Sequence, residues 1–293
     1  MTGALKCTKE QLNSIASLGH EVVFMQNESE DLPCAYEEVE GVICNGLFLH
    51  HSIEKFSSLK YIQLTSAGYD RVPMQYVESK AIKIYNARGV YSIPMAEFAV
   101  CGILQCYKQS KFFYRNQENR EWNKHRGLLE LYDKTACIVG CGSVGNECAK
   151  RISAFGAKVL GVDLYPREDE FYQKIYHLDE LDKVLEIADV VILTLPLTEQ
   201  TKYMMNARRF SLMKRGSVFV NIARGAIVEE KALLNALDNK ILGAVIDVFE
   251  EEPLQKDSLL WTKENAIITP HNSFVGDGVA NRLIDLILNN LRG

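Results

Sequence analysis

Four polar side chains stand just beyond apolar runs in the second half of the chain. Arg224 follows Val218-Phe219-Val220-Asn221-Ile222-Ala223, and Asp247 follows Gly243-Ala244-Val245-Ile246. Glu252 sits in the acidic turn Glu250-Glu251-Glu252-Pro253, and His271 closes Thr269-Pro270-His271. Histidine is the side chain that exchanges a proton near neutral pH. A glutamate beside it favours its protonated form. A guanidinium grips a carboxylate through two parallel hydrogen bonds. Each residue taken singly has a plainer reading: a solvated loop arginine, one acid of three on an exposed turn, a structural histidine. As a set they offer a proton donor, its partner and an anion clamp.

A second constellation lies upstream. The apolar run Thr135-Ala136-Cys137-Ile138-Val139 leads into Gly140-Cys141-Gly142-Ser143-Val144-Gly145, a GxGxxG between a predicted strand and a predicted helix. The three glycines permit a tight turn, backbone approach to a pyrophosphate and close helix–strand packing. The first turn of the helix then presents free N–H groups and a partial positive charge to the phosphates. Asp163 ends the next apolar run, at the roughly 20-residue distance where a carboxylate accepts the ribose hydroxyls. That favours NAD over NADP, with Arg167 nearby as the residue able to argue otherwise. Joined to a nicotinamide, the Arg224, Glu252 and His271 set suits hydride transfer to the carbonyl of a 2-oxo acid.

The elements that must position these residues alternate. Short apolar strands and amphipathic helices follow one another through most of the chain, the rhythm of parallel sheet built from βαβ units. Strands are expected at residues 4–7, 22–25, 41–44, 61–65 and 82–85, and helix at 10–18 before Gly19. Ser92 is expected to cap a long helix over 95–113 with Pro94 in its first turn. The polar stretch 115–130, with Trp122, reads as an arm. Later strands fall at 135–139, 158–162, 189–195, 218–222, 243–248 and 266–269, with helices at 143–155, 206–213, 229–237 and 279–291. In open parallel sheets ligands bind beyond the carboxyl ends of strands. Leu195-Pro196 with Thr198 and Thr201, and Ile222-Ala223, occupy such ends, and Leu195, Pro196, Thr201, Ile222 and Ala223 are expected cofactor neighbours.

Length and composition agree with this picture. The 293 residues, 47% hydrophobic and 24% charged, suit a soluble chain of about two domains. A net charge of −5 excludes a basic nucleic-acid binder. The eight cysteines form no CxxC and no zinc-finger spacing, and are expected as reduced thiols in a cytoplasmic protein. Lys6, Lys9 and Glu10 stand where a secretory leader would be apolar, and no run is long enough for a membrane span.

The motifs together resemble the NAD-dependent D-isomer-specific 2-hydroxyacid dehydrogenases. The likeness runs from Ser66-Ala67-Gly68-Tyr69-Asp70 through Gly140–Gly145 and Asn221–Gly225 to Asp247–Pro253 and Thr269–His271. It implies an α/β protein of two Rossmann-like domains with a cleft between them. A discontinuous, flavodoxin-like substrate domain would span 1–93 and 270–293, and a dinucleotide-binding domain 94–269. By the same resemblance Arg224 holds the substrate carboxylate, His271 is the general acid/base and Glu252 its partner. Asp163 takes the adenosine ribose, Ser143 and Val144 the pyrophosphate, Asp247 the nicotinamide side. The N–H groups of Ser66, Ala67 and Gly68 form a carboxylate nest. The family also implies a homodimer, with 115–130 as its arm.

The resemblance leaves alternatives. A D-3-phosphoglycerate dehydrogenase of serine biosynthesis fits the motifs, but Cys44-Asn45-Gly46 stands where such enzymes commonly place a phosphate-binding arginine. Arg71, Arg88 and Lys60 remain as phosphate partners, and a short form without the regulatory domain of the long phosphoglycerate dehydrogenases is expected. A non-catalytic NADH-sensing protein, like the corepressor branch, is a reading from another class. Glu252 disfavours the formate dehydrogenase branch, which has glutamine there.

Overall fold

The computed structural model describes residues 1–4 and 8–292. It divides into two compact units, Met1–Tyr91 with Gly276–Gly293, and Ser92–Val275.

In the first unit α1 (Lys9–Ala16) opens with a capping box between Thr8 and Gln11 and gives way to Gly19 at φ +90°. Strands β1 (Gly41–Cys44), β2 (Tyr61–Leu64) and β3 (Lys83–Tyr85) form a three-stranded parallel sheet among the described residues, with α2 (Met74–Ser79) between the last two. Side chains alternate across β1. Val42 and Cys44 enter a core with Ile53, Phe56, Ile62 and Leu64, while Ile43 packs with Ile15 on the other face. Most of the first expected strand, Leu5-Lys6-Cys7, lies outside the described residues. The strand expected at 22–25 is reduced to an isolated bridge between Thr2 and Met25, because one rung pairs while Val23 and Phe24 stay exposed.

The second unit begins with α3 (Ser92–Tyr107) and α4 (Ser110–Asn119). One long helix was expected here. It breaks at Gln109, whose backbone takes φ +52°, and the Gln109 side-chain amide donates to the Cys106 carbonyl at 2.9 Å. Ser92 does not cap. It is the first helical residue, buried, and its hydroxyl finds no partner among the described residues. Residues 121–130 carry no regular structure, and Trp122 there is 93% exposed.

A seven-stranded parallel sheet follows, made of β4 (Thr135–Val139), β5 (Lys158–Asp163), β6 (Lys174–His177), β7 (Val190–Leu193), β8 (Val218–Asn221), β9 (Gly243–Ile246) and β10 (Ala266–Ile268). The order is β10-β9-β8-β7-β4-β5-β6. The helices are α5 (Ser143–Ala154), α6 (Leu181–Leu185), α7 (Ala207–Leu212) and α8 (Glu230–Asn239). The inner strands are apolar at nearly every position because both faces are covered. Cys137, Val139, Val191, Leu193 and Phe219 face one core with residues of α6, α7 and α8. Ala136, Ile138, Val190, Ile192 and Val220 face the other with residues of α3 and α5. Helix α3 lies so close to β9 that a Cβ on Gly102 would stand 2.6 Å from Val245.

The chain then re-enters the first unit, where Leu283, Ile284 and Ile287 of α9 (Val279–Arg292) join the core holding Ile15 and Ile43. The return falls at Gly276 and not at Pro270. Asp247 ties Asn272 and Ser273 to the second unit, accepting their N–H groups at 2.7 and 2.9 Å. Among the described residues no helix is long and apolar enough to cross a membrane.

Candidate active site

The turn between β4 and α5 is made possible by two missing side chains. Gly140 has φ +98°, and a Cβ on it would lie 2.6 Å from the Leu195 nitrogen. A Cβ on Gly145 would lie 2.2 Å from the Gly140 carbonyl oxygen. Thr194, which sequence reasoning missed, braces that same carbonyl through its hydroxyl at 2.6 Å. Gly142 is different: its φ of −78° is ordinary, and a Cβ there would meet nothing within 4 Å. The fold needs glycine at Gly140 and Gly145, whereas Gly142 borders open space. The first-turn N–H groups of α5, at Ser143, Val144 and Gly145, lie ahead of any intrahelical carbonyl. The donor set, the open space and the helix end fit a pyrophosphate.

Asp163, the last residue of β5, backs this turn. Its Oδ2 accepts the Cys141 N–H at 2.7 Å and its Oδ1 the Tyr165 N–H at 3.0 Å. Arg167 donates to the Cys141 carbonyl and to the Asn146 side-chain oxygen, so its guanidinium is held beside the same loop. Leu195 is buried against Gly140. Thr201 is buried too, and its hydroxyl is spent on the turn: it donates to the Pro196 carbonyl at 2.8 Å and accepts the Thr198 N–H at 2.7 Å. Thr201 therefore shapes the Pro196 segment and does not project from it.

The loops after β8, β9 and β10, three neighbouring strands, bring the proton-transfer candidates together. Buried Asn221 braces the first loop, accepting the Ala223 N–H and donating to the Arg224 carbonyl, both at 3.1 Å. Ile222 and Ala223 are buried beneath Arg224. A Cβ on Gly225 would lie 1.8 Å from the Phe249 carbonyl carbon, so the Arg224 loop and the loop after β9 touch backbone to backbone. In that second loop Glu252 Oε1 accepts the Phe249 N–H at 3.0 Å. Glu252 Oε2 lies 2.8 Å from His271 Nδ1. Both side chains are about 40% exposed, at 36% and 43%, so the pair orients the imidazole more than it stabilises the fold.

His271 adopts φ +49°, and fully buried Asp247 underlies it. The Asp247 carbonyl accepts the His271 N–H at 2.8 Å. Its carboxylate accepts the Thr269 hydroxyl at 2.6 Å as well as the two N–H groups beyond. Thr269 and Asn221 fall within the motifs at their strand ends, but nothing in the sequence marked them as braces.

In the first unit the Ser66–Gly68 segment leaves the carboxyl end of β2. Its carbonyls are occupied: Ser66 by the Ala87 N–H at 2.8 Å, Ala67 by the Asn86 amide at 2.7 Å, Gly68 by the Ser66 hydroxyl at 3.1 Å. Among the described residues, the N–H groups of these three donate no hydrogen bond within the chain.

Residues 100–273 match the family model described as the D-isomer specific 2-hydroxyacid dehydrogenase NAD binding domain. The chain belongs to that family. It is an oxidoreductase of the class acting on the CH–OH group of 2-hydroxy acids, and it binds NAD. It is 36% identical over 222 residues to the D-3-phosphoglycerate dehydrogenase of Methanocaldococcus jannaschii, a match covering 75% of this chain and 42% of that protein. It is 33% identical over 243 residues to the glyoxylate reductase of Thermofilum pendens, covering 80% and 71%. The D-lactate dehydrogenase of Aquifex aeolicus, solved with NAD and lactic acid, superposes with a TM-score of 0.78 at 26% identity, covering 99% and 93%.

Proposed function

We propose that the protein is an NAD-dependent D-2-hydroxyacid dehydrogenase that reversibly reduces a small 2-oxo acid. The observation that carries this reading is the His271–Glu252 pair, held 2.8 Å apart at one loop cluster with Arg224. When bound, the nicotinamide supplies the hydride that reduces C2 of the substrate. Glu252 accepts from Nδ1 of His271, which fixes the ring and leaves Nε2 to donate the proton to the developing alkoxide. The Arg224 guanidinium holds the substrate carboxylate and stabilises the charge growing on the carbonyl oxygen. In oxidation His271 takes the proton back. The Ser66, Ala67 and Gly68 N–H groups, which donate no hydrogen bond within the described chain, are assigned to a substrate carboxylate.

Gly140, Gly142, Ser143, Val144 and Gly145 hold the pyrophosphate, Leu195, Pro196, Ile222 and Ala223 flank the cofactor towards the nicotinamide, and Thr201 and Asp247 serve it from beneath by shaping the Pro196 and His271 loops. The Asp163 carboxylate repels a 2′-phosphate, and Arg167 is already engaged by Cys141 and Asn146. We therefore assign NAD over NADP as the preferred cofactor. The exposed Trp122 segment supports a homodimer, and the described cysteines, none paired, support a cytoplasmic setting. The test follows NADH and NADPH oxidation against pyruvate, glyoxylate, hydroxypyruvate and 2-oxoisocaproate. Turnover of one with NADH, lost in Arg224→Ala, is expected; NADH binding without turnover of any 2-oxo acid overturns the reading.

A further inference from the structure

A backbone cradle at the carboxyl edge of the three-stranded sheet is filled from within. Glu28 Oε1 accepts the Asn45 N–H at 2.7 Å and the Thr2 hydroxyl at 2.6 Å, and Oε2 accepts the Gly46 N–H at 2.6 Å. Asn45 and Gly46 are the residues that follow β1. The backbone of Glu28 is fixed from behind: Nε2 of buried His51 lies 2.9 Å from its carbonyl, and His51 Nδ1 lies 2.8 Å from the Tyr36 hydroxyl. Successive N–H groups converging on one point form an anion site. Here an internal carboxylate occupies it.

The position of this cradle gives it a consequence. β1 and β2 run parallel with Cys44 opposite Leu64, and the Thr65 N–H donates to the Cys44 carbonyl at 2.8 Å. Asn45-Gly46 and Ser66–Gly68 therefore leave the same edge on neighbouring strands, about 5 Å apart in the pairing direction. Ligands bind beyond that edge in parallel sheets. We propose that Glu28 is a specificity-determining residue that restricts the substrates to 2-oxo acids bearing a single anionic group. The inference rests on the reading of Ser66–Gly68 as the carboxylate cradle. A phosphate, sulfonate or second carboxylate on the far end of the substrate meets a fixed negative charge and finds the N–H groups taken. A hydroxyl or an uncharged side chain meets no such penalty.

Matched substrate pairs test this on the unaltered protein. One pair is hydroxypyruvate against phosphohydroxypyruvate; the other is oxaloacetate against its C4 monoamide, equal in shape and different in charge. The expected kcat/KM ratio favours the member with one anionic group in each pair by about 100-fold, the size of a like-charge encounter about 6 Å apart at an effective dielectric of about 20. In Glu28→Gln, which keeps one oxygen for the cradle and removes the charge, the ratio is expected to fall by about 100-fold, towards unity, in both pairs. Equal or better use of the members with two anionic groups by the wild-type protein overturns the proposal. So does an undiminished ratio in a Glu28→Gln protein that still binds NADH. Absence of NADH oxidation with all four compounds overturns the dehydrogenase reading, and this proposal with it.

Discussion

The turn after β4 and the loops after β8, β9 and β10 are both strand-end loops of one sheet, yet they are built differently. The first owes its shape to missing side chains: Gly140 and Gly145 leave no room for a Cβ. The second has one such bare approach, at Gly225, and is otherwise drawn together by carboxylates that accept backbone N–H groups, Asp247 from Asn272 and Ser273, and Glu252 from Phe249. The cofactor turn carries a compact signature, three glycines within six residues, although Asp163, Thr194 and Leu195 complete it from other strand ends. The proton-transfer site is non-local, joining residues from three strands through buried or half-buried side chains. Damage to the first should register mainly in NADH binding, and damage to the second in turnover.

The largest expected effect is at His271. His271→Ala should lower kcat by about 10²–10⁴-fold, the range for removal of a general acid. The NADH dissociation constant, read by fluorescence quenching, should change by less than about threefold. Equal losses in both would erase the distinction between the two regions. Asp247→Ala comes next. It leaves two loop N–H groups and the Thr269 hydroxyl without their acceptor. Stability in urea should fall by roughly 2–4 kcal/mol, and kcat should fall with it as His271 loses its support. Unchanged kcat in a folded Asp247→Ala protein would show that the loop keeps its shape without the carboxylate.

A pair of glycine substitutions sharpens the contrast within the cofactor turn itself. Gly145→Ala drives a Cβ to 2.2 Å from the Gly140 carbonyl oxygen and should destabilise the protein by about 1–3 kcal/mol. Gly142→Ala meets no protein atom within 4 Å, so its thermal midpoint should hold or rise slightly, by the few tenths to about 1 kcal/mol that a lost glycine confers. Its NADH affinity should nevertheless drop about tenfold or more, because the space it fills is the pyrophosphate's. Normal NADH affinity in Gly142→Ala would remove the assignment of that space.

These differences also decide what the sequence could reveal. A glycine turn announces itself because only glycine satisfies φ near +98° and the contacts at Gly145. The His271–Glu252 pairing was legible as residue types at strand ends, and the family resemblance supplied the roles. The bracing was not legible: Thr194 lay outside every motif, and Asn221 and Thr269, though inside motifs, are ordinary polar residues until the sheet sets them beside a carbonyl or a carboxylate. The same holds for Glu28, whose partners Asn45 and Gly46 are distant in sequence and joined through an adjoining strand. The break at Gln109 gave no signal because a residue other than glycine takes the positive φ. Strand β6, at the sheet edge, was missed because Lys174-Ile175-Tyr176-His177 has one buried position in four. Period-two patterning is weak where so little of a strand is covered.

The smallest effect separates the two regions by pH. Cys137, Cys141 and Cys148 lie on β4, in the glycine turn and on α5, while the loops after β8 to β10 contain no cysteine. Burial pushes the Cys141 and Cys148 thiols from 9.0 up to about 12, and raises Cys137 as well. Below pH 9 folded and unfolded chains both keep these protons, and the stability is fully present. Above it the unfolded chain releases them while the folded chain retains them. The unfolded state then binds fewer protons, so stability must fall as pH rises, by about 1.4 kcal/mol per pH unit for each thiol until the folded value is reached. Urea midpoints between pH 8.5 and 10.5 should therefore slope downward, and Cys141→Ala should flatten that slope by one thiol's share whatever it does to stability at pH 7. An identical slope in Cys141→Ala would mean that the thiol ionises as readily in the folded turn as in the unfolded chain, and that the floor of the glycine turn is open to water.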